Sequence, residues 1–392
     1  MKIAILGDGV TATAVRDACL RLGLEETDID RADYGVASPG IPPKDYPKTQ
    51  TPIIAEIELA YLLWEQFGNT PRLIGVTGTN GKTTVTALIA HLLQVPAAGN
   101  IGLPLISLVN PKEAPPAVVV ELSSYQLERC FRFRPAVAVV LNLTPDHLAR
   151  HGTLEAYGEA KARIFQAQTP DDVLIYYDQD PRVSDLVQSA QSRLVPFNET
   201  HPIQSLISSP ALIGVHNRLN GIAACLAATE LGLDATTLRD RMVDFSLPPH
   251  RLEWVLTHEG RDFYDDSKAT NPDSVEVALA AFDRPVHLLL CGDDKGLDLT
   301  NFVRHVTLNA ASVVVFGAIA DRFVGLFEAL APTFPVQRCS VMPEAIAKAY
   351  AVSKPGDVIL LSPACSSFDQ FDNFNHRGDV FKALVRETYA SV

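Results

Sequence analysis

The six cysteines, Cys19, Cys130, Cys225, Cys291, Cys339 and Cys365, include no CxxC pair and no cysteine-histidine spacing of the kind that holds zinc. A zinc module is thereby excluded, and a reducing, cytoplasmic compartment is expected. No apolar run approaches the length needed to cross a bilayer, so a soluble protein is expected. No block of like positive charges is present, and the formal net charge of −13 disfavours attraction to nucleic acid. Anionic ligands would have to be held by local cations, backbone N–H groups and metal ions. Repeats and low-complexity stretches are absent. The opening MKIAILGDGV meets Gly-Asp-Gly in place of a small-residue cleavage site, so it reads as a first strand and not as a signal.

What is present is globular in composition, with 47% apolar and 20% charged residues over 392 positions, enough for two or three domains. The runs KIAIL, LIGVTG, AVVVEL, VAVVLNLT, VHLLLCG, SVVVFGA and DVILLSPA are nearly unbroken in apolar residues, and helix-period segments separate many of them. Strands covered on both faces need such runs, so the class is α/β with mostly parallel sheets. Ligands are then expected at the carboxyl ends of strands. Two breaks divide the chain, one at Gly68, Asn69 and Pro71 in FGNTPRL, the other at Pro248 and Pro249 in FSLPPHRLEW. The expected domains are 1–69, 70–247 and 248–392.

In LIGVTGTNGKTTVTALIAHLL (residues 73–93) a strand-like run, a glycine-rich turn and a helix starting at Lys82 follow in order. Gly78, Thr79, Asn80 and Gly81 would supply backbone N–H groups to a triphosphate, ahead of Lys82, Thr83 and Thr84 at the helix start. Lys82 would reach the β and γ phosphates and Thr83 would offer its hydroxyl to Mg²⁺. The usual GxxxxGK[ST] spacing is not met, since position 76 is valine. GDGVTA (7–12) fits GxGxx[GA], a pattern that a simple tight turn satisfies equally.

Further polar groups begin where apolar runs stop. Glu121 ends AVVVE and precedes Ser123 and Gln126; it is a candidate Mg²⁺ ligand, although a helix-capping serine after a glutamate reads the same way. Asp146 and His147 follow another buried run, and Lys161 lies in a helix-period segment; alone, a structural histidine and a solvated lysine would do as well. Asn217 and Asn220 share one helix face and suit the edge of adenine, with capping by Asn217 as the alternative. Arg251 is placed to reach a γ phosphate or to make a surface ion pair. Three polar turns, around Asp266, Lys268, Thr270 and Asn271, around Asp293, Asp294 and Lys295, and around Ser362, Ser367, Phe368, Phe374 and Arg377, together suggest a cleft for a small polar acid.

In this order, GTNGKTT, GNIGLPL, ELSSYQLE, LTPDHLARHG, AYGEAKARIF, HNRLN, LPPHRLE, DDSKATNP, GDDKG and SPACSSFDQFDNFNHRG resemble the Mur ligases, across residues 72–378. The resemblance implies a Rossmann-like domain for the UDP moiety, a central ATPase domain and a C-terminal Rossmann-like domain. It implies ATP and two Mg²⁺ ions as cofactors, UDP-N-acetylmuramoyl-L-alanine and D-glutamate as substrates, and a cytoplasmic monomer without nucleic-acid or membrane partners. It gives Lys82 and Arg251 to the phosphates and Thr83, Glu121, His147 and Lys161, the last carbamylated by CO₂, to the metal ions. Asn217 and Asn220 would face the nucleotide, Asp266 the ribose, and Lys268 the phosphate region. Thr270, Lys295, Ser367, Phe368 and Phe374 would receive D-glutamate, and Asn100, Ser123 and Gln126 the muramoyl group. Thr11, Ser38 and Gly40 would remain for the uridine end, in an N-terminal part shorter than is usual in the family. The competing activities are folate-directed glutamate ligation, a GTPase switch, against which the missing NKxD motif counts, and a small-molecule kinase.

Overall fold

The computed structural model describes residues 1–209, 212–294, 296 and 298–390, which form three sheets. The first sheet takes β1 (Lys2–Leu6), β2 (Glu25–Glu26), β3 (Tyr34–Ala37) and β4 (Ile53–Ile54) in the order β2-β1-β3-β4. Helices α1 (Val10–Leu22) and α2 (Glu56–Phe67) accompany it.

The second sheet is β10-β9-β8-β5-β7-β6, built from β5 (Arg72–Thr77), β6 (Ala97–Gly99), β7 (Ala117–Glu121), β8 (Val137–Val140), β9 (Val173–Tyr177) and β10 (Arg193–Phe197). Its segment of the chain also holds α3 (Lys82–Leu93), α4 (Ser124–Leu127), α5 (Leu148–His151), α6 (Leu154–Gln166), α7 (Pro181–Leu186), α8 (Gly214–Glu230) and α9 (Ala235–Val243). The pairings in both sheets are parallel, and β7 and β8 are buried along their whole length, as strands covered on both faces must be.

The third sheet, β11-β12-β16-β13-β14-β15, contains β11 (Glu253–His258), β12 (Arg261–Asp265), β13 (Val286–Cys291), β14 (Ser312–Phe316), β15 (Val336–Arg338) and β16 (Val358–Ala364). Only β11 runs antiparallel to its neighbour among these described strands. Here α10 (Pro272–Leu279), α11 (Thr300–Asn309), α12 (Ala320–Leu330), α13 (Met342–Val352) and α14 (Phe374–Tyr389) complete the layers. Asn271 and Asn373 cap α10 and α14 by accepting the N–H groups of Ser274 and His376, so both helices start on site loops.

Two compact units result, Met1–Pro210 with Asn217–Phe245, and Ala211–His216 with Ser246–Val392. In the first, one continuous core joins Ile3, Val15, Ile57 and Trp64 to Leu73, Val118 and Phe133, so the first and second sheets share it. No described helix is long and apolar enough to cross a membrane.

Candidate active site

In the first unit the glycine-rich turn leaves the carboxyl end of β5, between β7 and β8, and α3 begins at Lys82. The turn is braced from the next strand end. Asn142 Oδ1 accepts the N–H groups of Thr79 (3.1 Å) and Asn80 (2.8 Å), and its Nδ2 donates to Asn80 O (3.1 Å). Thr79 Oγ1 exchanges bonds with the backbone of Thr144. Gly81 has φ 87°, and a Cβ there would lie 2.5 Å from Asn220 Oδ1, so the glycine lets the asparagine close on the turn. Asn220 Nδ2 in turn donates to Asn217 Oδ1 at 3.2 Å. Asn217 lies within α8, which answers the capping alternative. Thr83 and Thr84 are buried at the start of α3.

Two lysines meet one carbonyl. Lys82 Nζ donates to Gly78 O (2.9 Å) and Thr79 O (2.8 Å), while Lys161 Nζ on α6 donates to the same Gly78 O at 2.7 Å. Lys161 is buried, 4.5 Å from the centre of the Tyr157 ring. Burial, and then the charge of Lys82, hold its pKa well below the ordinary lysine range, which favours a neutral amine. Glu121 ends β7 buried; its Oε1 accepts Asn100 Nδ2 at 2.8 Å, and its Oε2 is buried without a hydrogen-bond partner. An anionic oxygen left dry in this way fits a cation ligand. His147 adopts φ 54° at the start of α5, with its ring 3.5 Å from Asp146 and 4.9 Å, centre to centre, from Tyr125. Ser123 and Gln126 form a capping box on α4, so both side chains also serve that helix.

In the first sheet Ser38 follows β3 beside Gly7, at the point where the strand order reverses, and its Oγ is buried without a partner. Thr11 lies in the first turn of α1, and Gly40 is exposed.

In the second unit the turns after β12, β13 and β16 come from adjacent strands. Asp266 is buried; Oδ1 accepts Leu252 N–H (3.2 Å) and Oδ2 accepts Ser362 Oγ–H (2.7 Å). Burial outweighs these bonds and the nearby Arg251, and raises its pKa to about 7. Lys268 Nζ stands 3.8 Å from the centre of the Phe374 ring, a cation–π contact that brings two predicted residues together. Thr270 lies on the same turn as Lys268. Ser367 is buried, Phe368 is 73% exposed, and Lys295 lies outside the described residues.

Residues without a separate role in the sequence reading hold this site in shape, and one of them, Arg377, belongs to the polar turn singled out after the last apolar run. Arg377 is fully buried and donates to Ser267 Oγ (2.9 Å), Ser267 O (2.9 Å), Cys365 O (3.1 Å) and Ser366 O (3.4 Å). Ser267 Oγ–H in turn donates to Phe374 O at 2.8 Å. One guanidinium therefore ties the turn after β12 to the turn after β16 and to the start of α14. His250, beside Arg251, bonds through Nδ1 to buried Asp265 at 2.7 Å, and its carbonyl accepts Lys268 N–H. For Asn142 the available signal was an amide at the end of a fully apolar strand; Arg377 was visible as a member of the third polar turn, but not as the residue that ties the turns together.

Residues 76–204 match the family described as "Mur ligase middle domain" and residues 250–365 the "Mur ligase, glutamate ligase domain". A UDP-N-acetylmuramoylalanine–D-glutamate ligase of Acidobacterium capsulatum is 40% identical over 390 residues, covering 91% of this chain and 82% of its own. The enzyme of the same name from Geotalea uraniireducens is 37% identical, covering 98% and 93%. Among solved structures, the MurF ligase of Thermotoga maritima in complex with ADP superposes with a TM-score of 0.66 at 18% identity, over 98% of this chain and 95% of its own. The folylpolyglutamate synthase of Mycobacterium tuberculosis gives 0.61 at 14% identity, over 86% and 96%; at such identities these two likenesses concern the fold.

Proposed function

The chain belongs to the Mur ligase family, and from that membership we infer that it joins D-glutamate to UDP-N-acetylmuramoyl-L-alanine with conversion of ATP to ADP and phosphate, a step of peptidoglycan precursor synthesis. The observation that carries this reading is 40% identity across 91% of the chain to a D-glutamate ligase. We assign 1–69 to the UDP moiety, 70–247 to ATP and 248–392 to the amino acid, and we place the reaction in the cytoplasm on a monomer.

A carboxylate is a poor electrophile, so its activation is the task of ATP. In our reading the alanyl carboxylate attacks the γ phosphorus, ADP departs, and an acyl phosphate remains. The D-glutamate amine then adds to the carbonyl, loses a proton, and phosphate leaves. Lys82 and Arg251 spread the charge of the phosphoryl group in flight. Of the turn expected to hold the phosphates, the N–H groups of Thr79 and Asn80 are taken by Asn142, so Gly78, Gly81 and the start of α3 are the part that meets them. Asn217 and Asn220 grip the nucleotide and Asp266 the ribose, while Lys268 supports the phosphate region. Thr270, Lys295, Ser367, Phe368 and Phe374 receive D-glutamate. Asn100, Ser123 and Gln126 orient the muramoyl group, and Thr11, Ser38 and Gly40 the uridine end.

Mg²⁺ when bound would neutralise phosphate charge, and Thr83, Glu121, His147 and Lys161 would hold it. The dry Oε2 of Glu121 and the depressed basicity of Lys161 support this assignment. A neutral Lys161 amine can add to CO₂, forming an N–C bond as one C=O π bond opens and an N–H proton is released, and the resulting carbamate offers anionic oxygen where an uncharged amine stood.

ADP release measured with UDP-N-acetylmuramoyl-L-alanine and a panel of amino acids tests the reading. D-glutamate alone should support turnover and a new amide product. ATP cleavage indifferent to both substrates, or a stable phosphorylated product, would overturn it.

A further inference from the structure

The loop GNIGLPL, which carries Asn100, is fastened at both ends by buried carboxylates. At its entry, Asn100 N–H donates to Glu121 O (2.9 Å) and Asn100 Nδ2 to Glu121 Oε1 (2.8 Å). Gly99 (φ 97°) permits this approach, because a Cβ there would fall 2.4 Å from Glu121 O. At its exit the chain enters the short 3-10 turn Leu105–Leu108. The carboxylate of Glu56, 2% exposed at the start of α2, accepts the N–H groups of Ile106 (3.0 Å) and Leu105 (3.4 Å). From α1, Arg21 Nη2 donates to Ile106 O (3.1 Å) and Nη1 to Val109 O. A carboxyl group on the first N–H groups and a guanidinium on the last carbonyls complement such a turn at both ends, although Ile106 O also accepts the Val109 N–H. Burial raises the Glu56 pKa to about 7, against the two N–H bonds, which favour its ionised form.

We propose that Glu56 and Arg21 are positioning residues that set the muramoyl-facing loop from the helices of the first sheet. Both belong to elements of the UDP-binding layer, so the layer that grips one end of the substrate also fixes the loop that meets its other end. This inference rests on the reading of Asn100 as a muramoyl contact. A carboxylate is the group required, since it accepts with both oxygens; a glutamine in its place would turn an NH₂ against one of the two N–H groups.

The test uses the full-length protein with Glu56→Gln, and Arg21→Met as a second variant, because Arg21 projects from an exposed helix position and its loss spares the core. Each should raise the KM for UDP-N-acetylmuramoyl-L-alanine about tenfold, as expected for one buried backbone group left unpaired. The KM values for ATP and D-glutamate should stay within roughly twofold, and kcat should change little, because the reacting groups are untouched. Hydrogen exchange of the Leu105 and Ile106 amides, measured without substrates, should accelerate in Glu56→Gln. Folded variants with unchanged acceptor KM, or with all three KM values raised alike, would overturn the proposal. If Asn100→Ala leaves the acceptor KM unchanged while Glu56→Gln still accelerates exchange, the reading of Asn100 fails and the clamp stands as a purely structural one.

Discussion

Arg377→Met should loosen the proposed amino-acid site before it touches the proposed nucleotide site. The guanidinium is fully buried, and four bonds of 2.9 to 3.4 Å leave it. Ser366 O keeps a second donor, the N–H of Asp293, but Ser267 O and Cys365 O would be left without the donor that reaches them. Each buried acceptor stripped of its donor costs about 1–3 kcal/mol. Methionine fills most of the volume and removes a buried charge, which offsets part of the loss. A net destabilisation of about 3 kcal/mol remains. For a unit of this size that corresponds to a fall in melting temperature of roughly 6–12 °C. Calorimetry should place the change in the transition of the third-sheet unit. In steady-state assays the KM for D-glutamate should rise more than that for ATP, because the same bonds set Phe374 directly through Ser267. Arg377→Lys should rescue little, since an ammonium cannot span acceptors that a planar fork reaches. A melting temperature within about 2 °C of the unsubstituted protein would show that the web of bonds around Arg377 carries no such weight.

Lys161→Ala should lower kcat at least about a hundredfold, and millimolar formate or acetate should restore part of it if the missing group is a carboxylate-like ligand; a folded variant without rescue argues against the carbamate. Asp266 has a folded pKa of about 7, above its ordinary 3.8, so the stability tied to its protonated form is present below about 3.8 and is lost as the pH rises through about 7. Asp266→Asn should therefore gain melting temperature relative to the unsubstituted protein on going from pH 5 to pH 8, and a pH-independent difference would contradict that. Gly81→Ala places a Cβ 2.5 Å from Asn220 Oδ1 at a left-handed position and should weaken ATP binding roughly tenfold or more, read by nucleotide titration.

The central strands were legible because burial on both faces writes itself as an uninterrupted apolar run: LIGVT in β5, VVVE in β7, VAVV in β8, VHLLLC in β13 and SVVVF in β14. Strands β2 and β4, with two residues each, and β6 and β15, with three, are too short to carry a period, and β11 is half exposed on an antiparallel edge. The VLIYY of β9 has the same character as the strands that were singled out and was within reach of the same reading. At the site, groups that act on a ligand stand at strand ends, where a polar residue after an apolar run is visible. The residues that hold those groups in place act across the chain: Asn142 meets Asn80 from 62 positions away, and Arg377 meets Ser267 from 110. Local pattern carries no record of such pairings, because neither partner departs from what a turn or a helix face ordinarily contains.

Backbone strain marks the same places independently of side-chain chemistry. Of the described non-glycine residues, His147 (φ 54°), His250 (φ 64°), Leu252 (φ 45°) and Ala364 (φ 64°) take left-handed conformations inside the motif segments. Each costs on the order of 1–3 kcal/mol and persists only where surroundings over-determine it. For His250 the surroundings are a 2.7 Å bond to Asp265 and a 2.9 Å bond from its N–H to Glu253, which fix the residue next to Arg251. Ala364 immediately precedes Cys365, whose carbonyl Arg377 holds. The glycine-rich turn is loaded in another way: two lysine amines on Gly78 O repel unless one is neutral, and burial selects Lys161 for that role. Burial and the neighbouring Lys82 charge push the Lys161 pKa the same way, so this amine gives up its proton far more readily than an exposed lysine does.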